Sequence, residues 1–411
     1  MVKLSRALCC AALLASCAAA QTYYSYVGNL SSDSVLLAWG TADGVNTIGR
    51  SAPSRGEATV RIDHRTLLSR QPWIVIGNLK PDTEYPFEIS LAGKVIGQGS
   101  VRTWPATSSK LVFFAMGDWG NGSEDQYAVA RAMVSEFERR KNSGNPVRFV
   151  MSLGDSVYGD LSNILFGFRH TGREDVDWAG KFFEPYKPLL AHIPFYPVLG
   201  NHDGNETESR GDLFTFLDNF FFPGDKPARY YRFNYAGLVD FFALDSTRNT
   251  ESGPLRSAYA ENGEQFQWIK SQMPGATAPW KIPYFHHPPF NAGPRHAASY
   301  RDLEHWVRLF QSSGVKVVFS GHEHNFQYSE VNDQSSGIRF VVSGAGGELR
   351  AGDVRGRMRA SNIAGWAPQF HFLVVEIDGK TMRITPVGPR EVSVRNADGG
   401  AVTMPLVVTL P

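Results

Sequence analysis

The side chains in this sequence best suited to chemistry are Asp, Asn, Tyr and His residues gathered in five short clusters. These are Gly117-Asp118-Trp119-Gly120, Gly154-Asp155-Ser156-Val157-Tyr158, Gly200-Asn201-His202-Asp203, His286-His287-Pro288-Pro289-Phe290-Asn291 and Gly321-His322-Glu323-His324-Asn325. Oxygen and nitrogen donors of this kind suit iron, zinc or manganese rather than a soft copper site. They are too many for one ion. His322 and His324 stand at period two on a strand end, so both imidazoles point to the same side and can serve two neighbouring ions. Two-metal sites hold their ions about 3.5–4 Å apart, close enough for one carboxylate to bridge them.

Each cluster follows an apolar run almost without a gap: 111–116, 148–153, 195–199, 282–285 and 315–320. Two further runs fall at 239–244 and 338–343. Short continuous runs like these predict strands buried on both faces. Helical periodicity separates some of them, at 127–141 and at 302–311, where Leu303, Trp306, Val307 and Phe310 share one face. In α/β sheets ligands bind beyond the carboxyl ends of strands, so the five loops would converge on one rim. The leading glycines let the chain turn off each strand without a Cβ clash. Ahead of this region, residues 21–104 read as all-β, with strands expected at 22–26, 35–39, 58–62, 73–76 and 87–89. Residues 105–109 form a short polar linker.

Composition narrows the options. The 41 basic and 40 acidic residues leave a net charge of +1, which argues against nucleic acid as the main ligand. Lys3 and Arg6, an apolar stretch over 7–15 and Ala18-Ala19-Ala20 read as a signal peptide cleaved after residue 20. The protein is therefore expected to be secreted or periplasmic, with no transmembrane segment. Leu14-Ala15-Ser16-Cys17 also reads as a lipobox, which would leave a lipid anchor at Cys17. All three cysteines (Cys9, Cys10 and Cys17) lie in this segment, so cleavage after residue 20 leaves no disulfide and no covalent dimer. Asn29, Asn121 and Asn205 head glycosylation sequons.

In their order, the five motifs resemble the metallophosphoesterase superfamily and, within it, the purple acid phosphatases. The resemblance spans roughly residues 110–390. Most of the superfamily has D-x-H in the first motif. Here Asp118-Trp119-Gly120 lacks the His, and Tyr158 follows Asp155 by three residues, which marks the purple subgroup. Leu79, Pro81, Thr83 and Tyr85 match the corner of a fibronectin type III sandwich, a domain that larger members carry.

The resemblance implies an α/β fold, with two mixed sheets flanked by helices (α/β/β/α) over 110–411, preceded by the small all-β sandwich. It implies a first metal on Asp118, Asp155, Tyr158 and His324, and a second on Asp155, Asn201, His286 and His322. A phenolate ligand adds negative charge, so Fe(III) is expected at the Tyr158 site and Fe, Zn or Mn at the other. His286 is preferred to His287 because it aligns with Pro288, Phe290 and Asn291 of the family's H-x-P-x-[YF]-N. His202 and His296 are the expected catalytic residues, orienting phosphate and protonating the leaving oxygen; Arg295 is a further phosphate donor. The activity implied is acid hydrolysis of small phosphate monoesters by a metal-bound hydroxide. A phosphodiesterase or nucleotide hydrolase with the same metals is the alternative enzyme, and a secreted non-catalytic binding protein the alternative of another class. His170, His192, His305 and His371 read as structural, Asp203 as an orienter of His202, and residues 343–347 as a tight turn near the site rather than a P-loop.

Overall fold

Residues 22–41, 49–159, 178–204, 216–222, 228–247 and 258–411 are described by the computed structural model. The leader and lipobox, His170, Asn205 and the loops at 169–177 and 205–211 fall wholly or partly outside these residues. Seven strands open the chain: β1 (Tyr23–Gly28), β2 (Val35–Thr41), β3 (Ala58–Ile62), β4 (Arg65–Ser69), β5 (Trp73–Ile76), β6 (Glu84–Leu91) and β7 (Lys94–Arg102). They form two antiparallel sheets, ordered β1-β2-β5 and β4-β3-β6-β7. In the exposed sheet, burial alternates along β6, as expected where one face packs and the other meets water. The Tyr85 hydroxyl accepts the Lys80 N–H at 2.8 Å, so the turn before β6 is closed by a tyrosine corner.

Two larger sheets carry the rest. β8 (Lys110–Met116), β9 (Val150–Ser152) and β10 (Phe195–Pro197) are parallel, and their sheet runs β10-β9-β8-β18-β19-β20. The other sheet runs β11-β12-β13-β14-β16-β15-β17, with β12 (Val239–Ala243), β13 (Trp280–Tyr284), β14 (Val317–Ser320) and β16 (Arg339–Ser343) parallel. Its flanking strands are β11 (Tyr231–Tyr235), β15 (Phe326–Ser329) and β17 (Ile363–Ala367). The sheets face each other through aromatic rings: Phe113 stands edge-on to Phe241 at 5.5 Å, and Phe149 to Phe233 at 5.6 Å. Helix α1 (Glu124–Asn142) is capped by Ser123, whose hydroxyl accepts from Gln126 N, and it carries acid in its first turn and base in its last. α2 (Glu184–Leu190) packs beside it. α3 (Glu264–Gln272) and α4 (Tyr300–Ser312) cover the other sheet through a cluster that includes Phe266, Ile269, Trp306 and Phe310.

The runs at 148–153 and 195–199 yield only three strand residues each, because the chain leaves the sheet early to form the site loops. β18 (Phe372–Asp378), β19 (Thr381–Val387) and β20 (Leu406–Thr409) pair antiparallel and extend the first sheet beyond the reach of the run pattern. Trp104, at the end of the small sandwich, is buried against Phe149, Tyr196, Phe233 and Tyr235. Tyr26 likewise meets Phe183 and Phe221. The small sandwich and the two larger sheets thus share one hydrophobic core.

Candidate metal centre

Loops from the carboxyl ends of β8, β9, β10, β13 and β14 meet in the groove between the two sheets. Three residues at their tips, Asp118, Asp155 and His322, hold φ of 58°, 49° and 72°. Left-handed backbone costs a non-glycine residue on the order of 1–3 kcal/mol and gathers where function over-determines geometry. Gly200 admits no side chain, because a Cβ there would run into the Asp155 carboxylate. Trp119, fully buried, fixes the first loop by donating its indole N–H to Ser152 Oγ at 2.9 Å.

The side chains assemble in two groups. In one, the Tyr158 hydroxyl lies 3.3 Å from Asp118 Oδ1, 3.2 Å from Asp155 Oδ2 and 3.3 Å from His324 Nε2, while His324 Nε2 is 3.2 Å from Asp118 Oδ1. A hydroxyl has one proton for three acceptors, whereas a central cation would satisfy all four atoms. In the other, Asn201 Oδ1 lies 3.0 Å from His286 Nε2 and 2.8 Å from His322 Nδ1, and those two nitrogens are 3.2 Å apart. Asp155 Oδ2 joins this group too, 3.3 Å from His286 Nε2. Its other oxygen accepts the His202 backbone N–H at 2.8 Å, which leaves Oδ2 for both groups.

The chemistry of these atoms fits metal. His286 Nδ1 lies 2.8 Å from the Leu153 carbonyl, which can only accept, so Nδ1 carries the proton. On a neutral ring the Nε2 lone pair then faces two acceptor oxygens, an arrangement that repels unless a proton or a metal cation lies between them. Burial disfavours a charged imidazole at His286, yet the Asp155 and Asp118 carboxylates carry its pKa up to about 9, the mark of a pocket that calls for positive charge. Burial, followed by the charges of Asp155, Asp118 and Glu348, holds the Tyr158 phenol well above its ordinary pKa. His322 is driven well below its usual range by burial and neighbouring histidines, which keeps it a neutral ligand.

Residues 111–326, just over half of the chain, match the calcineurin-like phosphoesterase family. The chain belongs to that family. Its relatives include acid phosphatases of the tartrate-resistant and purple types. Tartrate-resistant acid phosphatase type 5 of Rattus norvegicus is 28% identical over 69% of this chain and 88% of its own length. Purple acid phosphatase 17 of Arabidopsis thaliana is 28% identical over 63% of this chain and 76% of its own. Among solved structures, the yellow lupin purple acid phosphatase PPD1 superposes with a TM-score of 0.65 at 16% identity, covering 95% of this chain and 74% of that one. The structure of PhoD superposes at 0.64 and 15%, covering 93% and 92%. The protein is a purple acid phosphatase-type metallophosphoesterase, a hydrolase whose family implies a binuclear metal centre.

All seven side chains expected as ligands therefore come together in this phosphatase. His287 also brings a ring nitrogen within 4.8 Å of ligand atoms of His286 and His322. Its Nδ1, however, lies 2.9 Å from Ser246 Oγ, and the ring lines a cleft of about 360 Å³ with Asn201, Ser246, Tyr259, His296 and His322. His202 places its ring 4.5 Å from that of Tyr158. Arg295 is exposed and precedes His296, whose ring lines the cleft. Asp203 does not orient His202 as expected: its carboxylate accepts the Ser156 and Gly200 backbone N–H groups and so ties the second loop to the third. The turn at 343–347 wraps the first loop, with Gly347 and Glu348 N–H groups donating to the Asp118 carbonyl. Asn121 is committed to that turn as well, donating to Gly347 O and Glu348 Oε1, so its sequon nitrogen is engaged. His192, His305 and His371 bond to backbone carbonyls, as structural histidines do.

Two polar residues beside the cleft carried no signal in sequence. Glu323, the variable position of its motif, is fully buried and accepts the His296 N–H at 3.1 Å. Arg350 reaches His296 Nδ1 at 2.8 Å from a loop with no motif of its own.

Proposed function

We propose that this phosphatase hydrolyses phosphate monoesters, with one ion held by Asp118, Asp155, Tyr158 and His324 and the other by Asp155, Asn201, His286 and His322. The observation that carries this reading is Asp155 Oδ2, one oxygen within 3.3 Å of donor atoms in both groups. The first group contains two carboxylates and a phenol whose ionisation the surroundings resist, so it calls for a trivalent ion, Fe(III). The second adds only neutral donors to the shared carboxylate and suits iron, zinc or manganese. When bound, the two ions neutralise phosphate charge and make a nucleophilic water available near neutral pH.

The protein's own residues supply the remainder. Asn201 and His322 form both the metal pocket and part of the cleft wall, so an ester in the cleft would place its phosphoryl group at the centre. His202 protonates the departing oxygen. His296 takes a different part from the one its position in sequence implied. Burial and then the Arg350 charge hold its pKa down to about 4, so above that pH it is a neutral hydrogen-bond donor to phosphate. The tyrosine corner and the paired antiparallel sheets support a fibronectin type III-like N-terminal domain. No helix among the described residues is long and apolar enough to cross a membrane, and we propose secretion through the N-terminal leader.

Phosphate release from a monoester and its matching diester, followed from about pH 4 to about pH 9, tests the reading. It expects a preference for the monoester and a mildly acidic optimum, since donation requires protonated imidazole. Equal diester turnover, or a rate still climbing at the alkaline end, would overturn it.

A further inference from the structure

His296 has a tautomer problem that a single residue resolves. Its Nδ1 lies 3.1 Å from the His322 carbonyl, which can only accept, and 2.8 Å from Arg350 Nη1, which can only donate. One ring nitrogen cannot satisfy both. With a proton on Nδ1 the imidazole would donate to His322 O and clash with the guanidinium. With a lone pair on Nδ1 it accepts from Arg350, and the same Nη1 also reaches His322 O at 3.4 Å. The second arrangement satisfies every group, and the proton then sits on Nε2.

Arg350 is itself fixed. Its backbone N–H donates to the His324 carbonyl at 2.8 Å, and Nη1 stands 3.8 Å from Glu323 Oε1. That oxygen is buried and has no hydrogen-bond partner among the described residues, so the guanidinium is the charge that compensates it. Glu323 Oε2 meanwhile accepts the His296 backbone N–H. The His296 ring stacks on His322 at 3.9 Å between centroids, which leaves it little freedom to turn over. Nε2 has no partner among the described residues, and the ring lines the cleft.

We propose that Arg350 is a positioning residue that holds His296 as its Nε2–H tautomer and so presents a hydrogen-bond donor to the phosphoryl oxygens of the substrate. This rests on the proposed phosphomonoesterase reading of the cleft. Without Arg350, the favoured state becomes Nδ1–H donating to His322 O. A lone pair would then face the phosphate, converting an attraction into a repulsion.

The test is a double-mutant cycle on the metal-loaded enzyme, reading inhibition by inorganic phosphate and kcat/KM together. Arg350→Met is expected to weaken phosphate inhibition and kcat/KM in parallel by roughly 10- to 100-fold, by analogy with the loss seen when the hydrogen-bond partner of a metal ligand is removed. Arg350→Lys, which keeps a cationic donor, is expected to recover part of the loss, and it stands in should the methionine variant fail to fold. In a His296→Ala background, either substitution should change both readouts less than about twofold, because the residue through which Arg350 acts is gone. An equal loss in that background would overturn the proposal, as would wild-type phosphate inhibition in Arg350→Met. If His296→Ala alone leaves phosphate inhibition and turnover intact, the reading of His296 as a phosphate contact fails first, an outcome distinct from the other two.

Discussion

The two halves of the centre share an oxygen and differ in charge. On one side, Asp118 and Tyr158 add a carboxylate and an ionisable phenol to Asp155, with one imidazole from His324. On the other, Asn201, His286 and His322 add only neutral donors. Their braces differ as well. The first half is held by the 343–348 turn, through amides that donate to the Asp118 carbonyl. The second is held from behind, by the Leu153 carbonyl on His286 and by buried Asp203 clamping the β9 and β10 loops. A site of unequal charge discriminates between ions of unequal charge. The difference teaches that the two metals need not be lost together.

Asp155→Ala should have the largest effect, because its Oδ2 belongs to both halves. We expect both ions to fall in metal analysis and kcat/KM to drop on the order of 10³-fold or more, the several kcal/mol of charge stabilisation that a metal pair provides. His322→Ala should separate the halves. It should lose the second ion, keep the first, and lower turnover by roughly 100-fold or more. Retention of both ions would break the comparison. Tyr158→Phe should act on the first half alone, removing the visible colour while leaving phosphate release within about tenfold of wild type, since Asp118 and His324 still hold that ion.

The last prediction lies outside the centre and concerns stability rather than turnover. Burial holds His371 down to about 4 from an ordinary 6.5. Its neutral form is the folded one, bonded to Ser343 Oγ and Gln369 O. Above pH 6.5 both folded and unfolded chains are neutral at this site, and no stability is lost. As pH falls from 6.5 toward 4, only the unfolded chain takes the proton, and stability drops by up to about 3 kcal/mol. Urea unfolding of His371→Gln should show a flatter loss of stability across that window. An unchanged acid slope would show that His371 is not its source.

The centre was largely legible in the sequence because its chemistry is local. Each cluster begins where an apolar run ends, and Asp, Asn, Tyr and His at fixed offsets from a strand end have few structural alternatives. The exchange of a His for Tyr158, by contrast, was legible only through the resemblance to the purple acid phosphatases. What sequence could not show is how the clusters are held. Arg350 meets His296 across 54 positions, and its loop is placed by a turn that wraps Asp118. Asp203 was read as an orienter of its sequence neighbour, yet it bonds to Ser156, 47 residues away. The same limit applies to the fold. The doubly buried parallel strands announced themselves as apolar runs, whereas the antiparallel additions β18 to β20 and the packing of Trp104 into the catalytic core depend on partners distant in the chain. Chemistry at a strand end is written nearby; its bracing is written elsewhere.

The most direct test of the account is a visible absorption spectrum of the purified protein as isolated, taken alongside its metal content. The account expects a broad tyrosinate-to-iron(III) band, a pink or purple solution, and loss of that band in Tyr158→Phe. A colourless protein that carries two metal ions and releases phosphate would contradict it, leaving the two-metal site without the trivalent iron that the charge of its first half demands.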